Sequence, residues 1–448
     1  MVDFNSLIYL VYFSLLRMPT QIFISGKNWM LSLAEISSYL QTRNNKFEIQ
    51  YFSREFFVIN IEKSLGPAEM ANLGGTIKIG DIKTTVPTEV IKEAFLNKNK
   101  QAQKQIEEIV ASSPIPKSMK QDKILFGVSL YFTDNTFSPM AMRMQRAIGS
   151  AVKGELKAQG KKADFIGYSS ERKLAQLSHV EVLKKCLVEN QAEVLFCIGK
   201  VQTWVATTIA VHNPFEFQKR DIQKPNQRVI FAMPPRVARM MVNLSECNEG
   251  KVLLDPFCGV GTILQEALLE KAAVVGMDKN AWCVKAAEEN LHWLTSEYEL
   301  EGADFRVVQG EVDRLAEKVG LESVDCIVSE PDLGPALREV PTGPYAEKII
   351  GKLEPLFSDF IEEASRALKP GGRLVMVTPY IRTRSNEVVT MSVEDKLEGT
   401  SLKRIYAFTF DMFAKNLDVG RLVHSASLSE IDERHKIGRE IHILQKSQ

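Results

Sequence analysis

The sequence predicts an α/β protein whose C-terminal half forms a doubly wound, mostly parallel sheet, preceded by two smaller α+β modules. Two observations predict the sheet. Short apolar runs alternate with helical patterns between residues 253 and 328, and repeated β-α-β order favours a parallel sheet. In addition, two of these runs end in an acid, Asp255 and Asp278. Because such sheets bind ligands at the carboxyl ends of their strands, the two acids predict a binding edge.

Composition limits the partners and the chemistry. The chain has 448 residues, enough for about three domains, and its 56 basic residues balance 56 acidic ones. A nucleic-acid site therefore has to be a local patch. The six cysteines include no CxxC pair, and no two of the six histidines lie at ligand spacing. We therefore expect no metal site, no disulfide framework and a reducing, cytoplasmic location.

The N-terminus carries a ten-residue apolar run at 7–16 that no basic region precedes. A membrane-spanning helix needs about 20 apolar residues, so this run is too short to cross a bilayer. We expect residues 1–17 to be an extension and the chain to have no stable membrane association. A membrane-associated helix is the alternative interpretation.

The first α+β module is predicted at residues 18–111, and a Ser- and Pro-containing linker follows it at 112–117. Strands and helices are mixed in this module, which is typical of the α+β class. Its predicted elements are strands at 21–25, 56–61 and 74–79 and helices at 31–40 and 90–95.

The second module is predicted at residues 120–215 and contains a basic patch. Between Arg143 and Lys185 there are ten basic residues and four acids, a local excess of six in a neutral protein. Such a patch suits phosphate contacts, although an ordinary solvated helix face is the alternative. The predicted elements are strands at 124–132, 163–168, 194–198 and 204–211 and helices at 141–159 and 180–188.

Residues 252–262 are predicted to form a strand, a tight turn and a helix N-terminus. Glycines in the turn let the backbone approach a ligand closely, and Asp255 can accept from a cationic or amino group. Asp278 ends the next strand about 20 residues on, where βαβ units hold ribose hydroxyls. The turn is neither GxGxxG nor a Walker loop. A ligand-free turn with an incidental acid is the alternative.

Several segments carry a family resemblance. With Asp-Pro-Phe-Cys-Gly-x-Gly-Thr, the turn resembles the first motif of class I S-adenosylmethionine methyltransferases. Together the segments resemble the THUMP-domain tRNA guanosine N2-methyltransferases, which modify position 10 of tRNA. The resemblance covers residues 19–446, and 220–262 is its most specific part. The segments are 23–35, 73–79, 177–184, 217–225, 233–244, 255–262 and 438–441.

The resemblance implies a ferredoxin-like domain at 18–111, a THUMP RNA-binding domain at 120–215 and a Rossmann-like class I methyltransferase domain at 216–448. It implies S-adenosyl-L-methionine as cofactor, tRNA as substrate and, as in some members, a small adaptor protein. The resemblance places Glu311 near the adenine amino group of the cofactor, but the residue is equally explained as an acid at a helix N-terminus. The implied cofactor-binding residues are Met233, Pro234, Asp255, Cys258, Gly259, Gly261, Thr262, Asp278 and Glu311. The predicted RNA-binding residues come from the basic patch and are Arg143, Arg146, Lys153, Lys184 and Lys185.

The catalytic motif departs from the family pattern. In the family, the motif Asp/Asn-Pro-Pro-Tyr/Phe follows the fourth strand. Oxygens of this motif hold an exocyclic amine while its aromatic ring stacks on the base. Here the sequence is Glu330-Pro331-Asp332-Leu333. Glu330 keeps a carboxylate and Pro331 keeps a carbonyl, but Asp332 adds a charge and Leu333 cannot stack as an aromatic ring does. These four residues are the predicted catalytic set.

The predicted function is a tRNA methyltransferase that uses S-adenosylmethionine and methylates the exocyclic N2 amine of a guanosine. Tyr345 and Tyr380 are aromatic candidates to replace Leu333. Two alternatives stay open. One is a non-catalytic tRNA-binding protein that keeps the methyltransferase fold. The other is a DNA amino-methyltransferase, which leaves the first 220 residues unexplained.

Overall fold

The computed structural model describes six stretches of the chain. The predicted extension at 1–17 lies outside them, and so do Arg172 and Lys173, two of the basic residues in the predicted patch. Among the described helices, none combines the length and the apolar character needed to cross a membrane. The described residues are 18–119, 122–167, 175–227, 233–425, 427–431 and 436–448.

Both N-terminal modules contribute to one eight-stranded sheet. Its strands are β1 (Thr20–Ser25), β2 (Phe47–Phe52), β3 (Phe56–Ile61), β4 (Thr76–Pro87), β5 (Lys123–Phe132), β6 (Lys162–Ile166), β7 (Glu193–Ile198) and β8 (Gln202–Val211). Their order is β2-β3-β1-β4-β8-β7-β5-β6. The antiparallel pair of β4 and β8 joins the modules, and β5 runs parallel to both β6 and β7.

Three helices, at 88–95, 100–112 and 115–118, pack with the second module although most of their residues precede the predicted linker. Ile91 and Ile106 lie in the same apolar core as Phe126 and Val194. The apolar core thus divides near β4, while the predicted domain bounds stay a prediction. The helices of this half are α1 (Trp29–Thr42), α2 (Pro67–Met70), α3 (Thr88–Phe95), α4 (Lys100–Ser112), α5 (Ile115–Ser118), α6 (Ala141–Ala158) and α7 (His179–Lys184), with a 3-10 helix at Asn135–Met140.

Helix α7 is shorter than the sequence predicts. It ends at Lys184 instead of at residue 188. Cys186 has a φ of 51°, in the left-handed region, and a right-handed helix cannot continue through that conformation. Lys184 and Lys185 therefore lie at the end of a short helix rather than inside a longer one.

The C-terminal half forms the predicted mostly parallel sheet. Its strands are β9 (Val252–Asp255), β10 (Ala273–Asp278), β11 (Phe305–Gln309), β12 (Val324–Ser329), β13 (Leu368–Arg382), β14 (Val388–Thr390), β15 (Leu402–Arg404), β16 (Leu428–Glu430) and β17 (Ile437–Lys446). The main order is β11-β10-β9-β12-β13-β17-β15. The strand pattern at 439–444 predicts a last strand that finishes the sheet as an antiparallel member, and β17 does pair antiparallel with β13. Strands β9 to β11 are added toward one edge of the sheet, and β12 and β13 are added on the other side of β9. The point between β9 and β12 where the strand order changes sides is a switch point, which opens a crevice for ligands.

The helices of this half flank the sheet. The sequence pattern predicts a helix over 356–368, but helix α13 (Gly343–Ala367) has 25 residues and begins well before that start, with a proline in its first turn. The helices are α8 (Pro214–Ile222), α9 (Pro235–Leu244), α10 (Thr262–Leu268), α11 (Ala281–Glu297), α12 (Leu315–Val319), α13 (Gly343–Ala367) and α14 (Gly420–Val423), with 3-10 helices at Val312–Arg314, Glu394–Lys396 and Phe410–Met412.

The two halves pack together through a shared apolar core that includes residues of α1, α9 and β9. Glu35 on α1 is fully buried in this contact. Its carboxylate accepts the backbone N–H groups of Gly74 and Gly75 at 2.7 Å each and the Asn243 amide at 2.8 Å. Burial raises the pKa of Glu35 to about 7, although these hydrogen bonds lower it.

A buried ion network fixes the helices beside the predicted turn. Arg239 is 1% exposed and donates to Glu266 at 2.8 Å and also to Glu270. Arg220 donates to Glu266 at 2.6 Å, and Arg43 donates to Glu270 at 2.6 Å. Because every buried charge in this group has a hydrogen-bonded partner, the network holds α1, α8 and α9 against the helix that follows the glycine turn.

Candidate active site

The two strands at the switch point are joined by a hydrogen bond between their ends. Ser329 Oγ donates to Asp255 Oδ1 at 2.6 Å, and the Phe257 N–H donates to the same oxygen at 3.1 Å. Burial raises the pKa of Asp255 to about 7, and the charges of Asp278 and Glu330 add to the rise, whereas the two hydrogen bonds lower it. Asp255 therefore stabilises the strand ends from inside the protein.

The glycine turn packs closely against helix α11. Gly261 has a φ of 86°, in the left-handed region, and a Cβ there would lie 3.3 Å from the Ala287 Cβ. Its N–H donates to the Cys258 carbonyl at 2.8 Å, and the Cys258 N–H donates to the Met277 carbonyl at 2.9 Å. A side chain at Gly261 would be strained, so glycine is required by the turn itself.

Asp278 connects the end of β10 to this turn. Its Oδ2 accepts the Gly259 N–H at 3.0 Å, and its Oδ1 accepts the Asn280 N–H at 2.9 Å. Each carboxylate oxygen can accept further hydrogen bonds, since an ionised carboxylate offers about four acceptor positions. Asp278 also lines the cleft at the switch point. The side chain is thus oriented by the backbone and still has capacity for a ligand.

Thr262 begins α10 and contacts a lysine that sequence reasoning missed. The Lys224 ammonium donates to Thr262 Oγ1 at 3.1 Å, and both side chains are buried. Burial lowers the pKa of Lys224, while Asp221 and Glu266 raise it. Lys224 lies in the segment 217–225 that carries the family resemblance, and that resemblance is the signal that could have identified it.

The cleft has a volume of about 1300 Å³ and receives residues from the strand ends, α13 and the start of β17. It brings together all four residues of the predicted catalytic motif and part of the predicted cofactor set. The predicted residues that line it are Asp278, Glu311, Glu330, Pro331, Asp332 and Leu333. The predicted residues outside the lining are Met233, Pro234, Asp255, Cys258, Gly259, Gly261 and Thr262.

The residues outside the lining have packing or turn positions. Met233 is buried in the shared apolar core, and Pro234 is the N-cap residue of α9. Cys258 is also buried in that core. Glu311, which does line the cleft, is exposed and precedes the 3-10 helix at Val312–Arg314. Cofactor contacts of these residues stay a prediction.

Glu330 forms a two-pronged ion pair that the sequence did not reveal. Arg439 Nε donates to Glu330 Oε2, and Arg439 Nη2 donates to Oε1 at 3.3 Å. Arg439 also donates to Glu430 at 3.1 Å. Burial alone would lower the pKa of Arg439, but the carboxylates of Glu330 and Glu430 raise it above its ordinary value. A guanidinium fork fixes the orientation of the carboxylate it binds.

Arg439 lies on β17, 109 residues from Glu330 in the chain. The available signal was a basic residue inside a strand predicted to complete the sheet, because a charge in such a position needs a partner. Sequence spacing does not identify that partner.

The rest of the motif has distinct local roles. Asp332 is exposed, and its Oδ1 accepts the Gly334 N–H at 2.9 Å, which closes the loop. Leu333 is half-buried and packs against the shared core. Tyr345 is 46% exposed and lines the cleft, whereas Tyr380 is not among the lining residues. Of the two aromatic candidates, the structure brings only Tyr345 to the cleft.

The predicted RNA-binding residues lie on two helices of the second module. Arg143, Arg146 and Lys153 are on α6, and Lys184 and Lys185 are at the end of α7. All are exposed except Arg143, which is half-buried with its guanidinium carbon 6.0 Å from the centre of the Phe95 ring. Their contact with RNA stays a prediction.

Metal and disulfide chemistry have no visible centre in the described part of the chain. No group of three or more His, Cys, Asp or Glu side chains there is arranged to hold a metal ion. All six cysteines are free thiols, and only Cys186 is exposed.

Sequence comparison identifies a methyltransferase domain. Residues 225–398 match the RMKL-like methyltransferase domain family, and residues 83–289 match a DNA methylase family. The tRNA (guanine(10)-N2)-dimethyltransferase of Methanothermobacter thermautotrophicus is 37% identical over 161 residues, covering 35% of this chain and 42% of the relative. The enzyme of the same name from Methanocaldococcus jannaschii is 33% identical, covering 28% and 38%. The chain thus spans about two fifths of the length of these relatives.

Two further comparisons extend this picture. The U6 snRNA (guanine-N(2))-methyltransferase THUMPD2 of Bos taurus is 30% identical over 143 residues, covering 32% of this chain and 24% of the relative. The crystal structure of TrmN from Thermus thermophilus superposes with a TM-score of 0.53 and 14% identity, covering 95% of this chain and 99% of that one. The predicted α/β fold class is confirmed.

Proposed function

We propose that the protein methylates tRNA, because residues 225–398 match a methyltransferase domain family and the similar proteins include tRNA (guanine(10)-N2)-dimethyltransferases. The acceptor is the exocyclic N2 amine of a guanosine, and the methyl donor is S-adenosyl-L-methionine. One observation carries the proposal. A single cleft at the switch point receives Asp278 and Glu311 from one wall and Glu330 and Pro331 from the other.

The wall that contains Asp278 and Glu311, here called the donor wall, has groups that suit S-adenosylmethionine. Asp278 has acceptor capacity for two ribose hydroxyls, and Glu311 offers an exposed carboxylate for an adenine amino group. When bound, S-adenosylmethionine supplies an electrophilic methyl group on a sulfonium.

The wall that contains Glu330 and Pro331, here called the acceptor wall, holds the N2 amine of the target guanosine. A carboxylate oxygen of Glu330 and the Pro331 carbonyl are the acceptors for its N–H groups, which favours the lone pair needed for attack. Arg439 holds the Glu330 carboxylate in one orientation, so this acceptor is in place before the substrate arrives. Catalysis then depends mainly on alignment of the reacting groups, and little acid–base work is required.

We assign the tRNA grip to the N-terminal modules, with the THUMP domain at 120–215. The exposed basic residues of α6 and α7 support this assignment, since lysine and arginine neutralise phosphates. A cytoplasmic location agrees with six free thiols. The small adaptor protein remains an expectation from the family resemblance alone.

Methyl transfer to unmodified tRNA tests the proposal. The purified protein is incubated with labelled S-adenosylmethionine and tRNA transcripts, and the product nucleosides are identified by mass spectrometry. N2-methylguanosine or its dimethyl form is expected, with duplex DNA as the negative control. Binding of S-adenosylmethionine and tRNA without transfer to any tRNA pool would instead establish the alternative, a non-catalytic tRNA-binding protein.

A further inference from the structure

One face of helix α13 forms an edge of the cleft. Tyr345, Lys348 and Lys352 line it at positions three and four residues apart, so they follow one another along the same helix face. Ile349 and Leu353, on the inner side of this face, are buried in the apolar core. The buried residues fix the helix, and the polar residues therefore lie at a defined edge of the cleft.

Acids predominate at one side of the cleft and lysines at part of another. The ends of β10 and β11 and the loop after them contribute Asp278, Glu311 and Asp313, with Lys279 beside them. Helix α13 contributes Asp359 near its middle and, nearer its start, Lys348 and Lys352. Both lysines are exposed, and across the described residues neither takes part in an ion pair. The acidic wall suits hydroxyl and amino groups, and the lysine edge suits a phosphate.

Tyr345 supplies an aromatic surface at the same edge. Its side chain is 46% exposed, although burial of an aromatic ring is favourable. Leu333, at the aromatic position of the altered motif, packs against the shared core instead. An exposed aromatic ring beside a basic edge is typical of a surface that stacks an unpaired base.

We propose that Tyr345, Lys348 and Lys352 bind the acceptor strand, with the Tyr345 ring stacked on the target base and the two lysines on the phosphates that flank it. The lysines are four positions apart in the chain, so their backbones lie about 6 Å apart along the helix. The ligand is an RNA segment with one nucleotide taken out of its stack. This inference deepens the proposed function and rests on it.

Salt-dependent tRNA binding tests the lysines. The double variant Lys348→Gln/Lys352→Gln is compared with Lys285→Gln/Lys403→Gln, which changes two exposed lysines of the same domain outside the cleft. Each lost single-strand phosphate contact lowers the slope of log K against log salt by about 0.7, so the cleft variant should lose about 1.4 and the control should not. Affinity for S-adenosylmethionine should stay unchanged in both.

Tyrosine variants test the stacking. Tyr345→Ala should raise the KM for tRNA roughly tenfold or more, while Tyr345→Phe, which keeps the ring, should stay near wild type. Wild-type methyl transfer combined with control-like salt slopes in the lysine variant would overturn this inference and leave the proposed function intact. Wild-type protein that neither binds nor methylates tRNA would overturn both.

Discussion

The two walls of the cleft are held in place by interactions of different range. On the donor wall, Asp278 accepts N–H groups from Gly259 and Asn280, which lie within 19 residues of it in the chain. On the acceptor wall, Glu330 depends on Arg439, which is 109 residues away. The segment from β9 to the end of β10 therefore suffices to orient Asp278 on the first wall. The second wall forms only when the last strand is in the sheet.

Removal of Arg439 is expected to have the largest effect. Arg439→Ala leaves the mostly buried carboxylates of Glu330 and Glu430 unpaired, so the free energy of unfolding should fall by about 3–5 kcal/mol. Arg384→Ala is the control, because it breaks an exposed pair with Glu339 and should cost at most about 1 kcal/mol. Urea denaturation measures both. A loss for Arg439→Ala no larger than that of the control would show that the acceptor wall does not need this ion pair.

The donor wall should respond to Asp278. Asp278→Ala removes a carboxylate that accepts charge-assisted hydrogen bonds, so affinity for S-adenosylmethionine should fall at least about tenfold. Isothermal titration measures the dissociation constant, and a thermal melt verifies that the variant is folded. Glu330→Ala, on the other wall, should bind S-adenosylmethionine as the wild type does. Unchanged affinity in Asp278→Ala would place the donor site elsewhere.

A pH-dependent effect is expected at Asp255. Burial raises its pKa to about 7 in the folded protein, so the folded state binds this proton more tightly than the unfolded chain does. Its contribution to stability is therefore lost as the pH rises from about 4 to about 7, by at most about 1.4 kcal/mol per pH unit.

Asp255→Asn keeps an oxygen for Ser329 and Phe257 but does not ionise. The unfolding free energy of this variant should therefore rise relative to wild type across that pH window. Parallel stability curves for the two proteins from pH 4 to pH 7 would contradict the raised pKa.

Sequence reasoning succeeded where local order determines the structure. Asp255 and Asp278 end neighbouring strands as predicted, because a short apolar run followed by an acid is a local pattern. It failed for Arg439, whose partner is set by the pairing of β17 with β13. It also missed the first half of α13, which begins at Gly343 and continues through Pro355. Tertiary packing of the apolar face of α13 determines that helix.

The altered motif also shows how far a family pattern extends. Alignment placed Leu333 at the position of a stacking aromatic residue, but this half-buried side chain has no ring and packs partly against the shared core. Tyr345 supplies an exposed ring from the next helix. A ring contributed from another element has no fixed sequence spacing to the motif. Only the fold brings Tyr345 and Glu330 into the same cleft.

In the proposed methyltransferase reaction, Glu330 holds the target amine. Single-turnover methyl transfer to unmodified tRNA at saturating S-adenosylmethionine tests it most directly. Glu330→Ala should be about 10²- to 10³-fold slower than wild type, since a preorganised acceptor is lost, and Glu330→Gln should keep much of the activity because one oxygen remains. A Glu330→Ala protein as fast as wild type would contradict the claim.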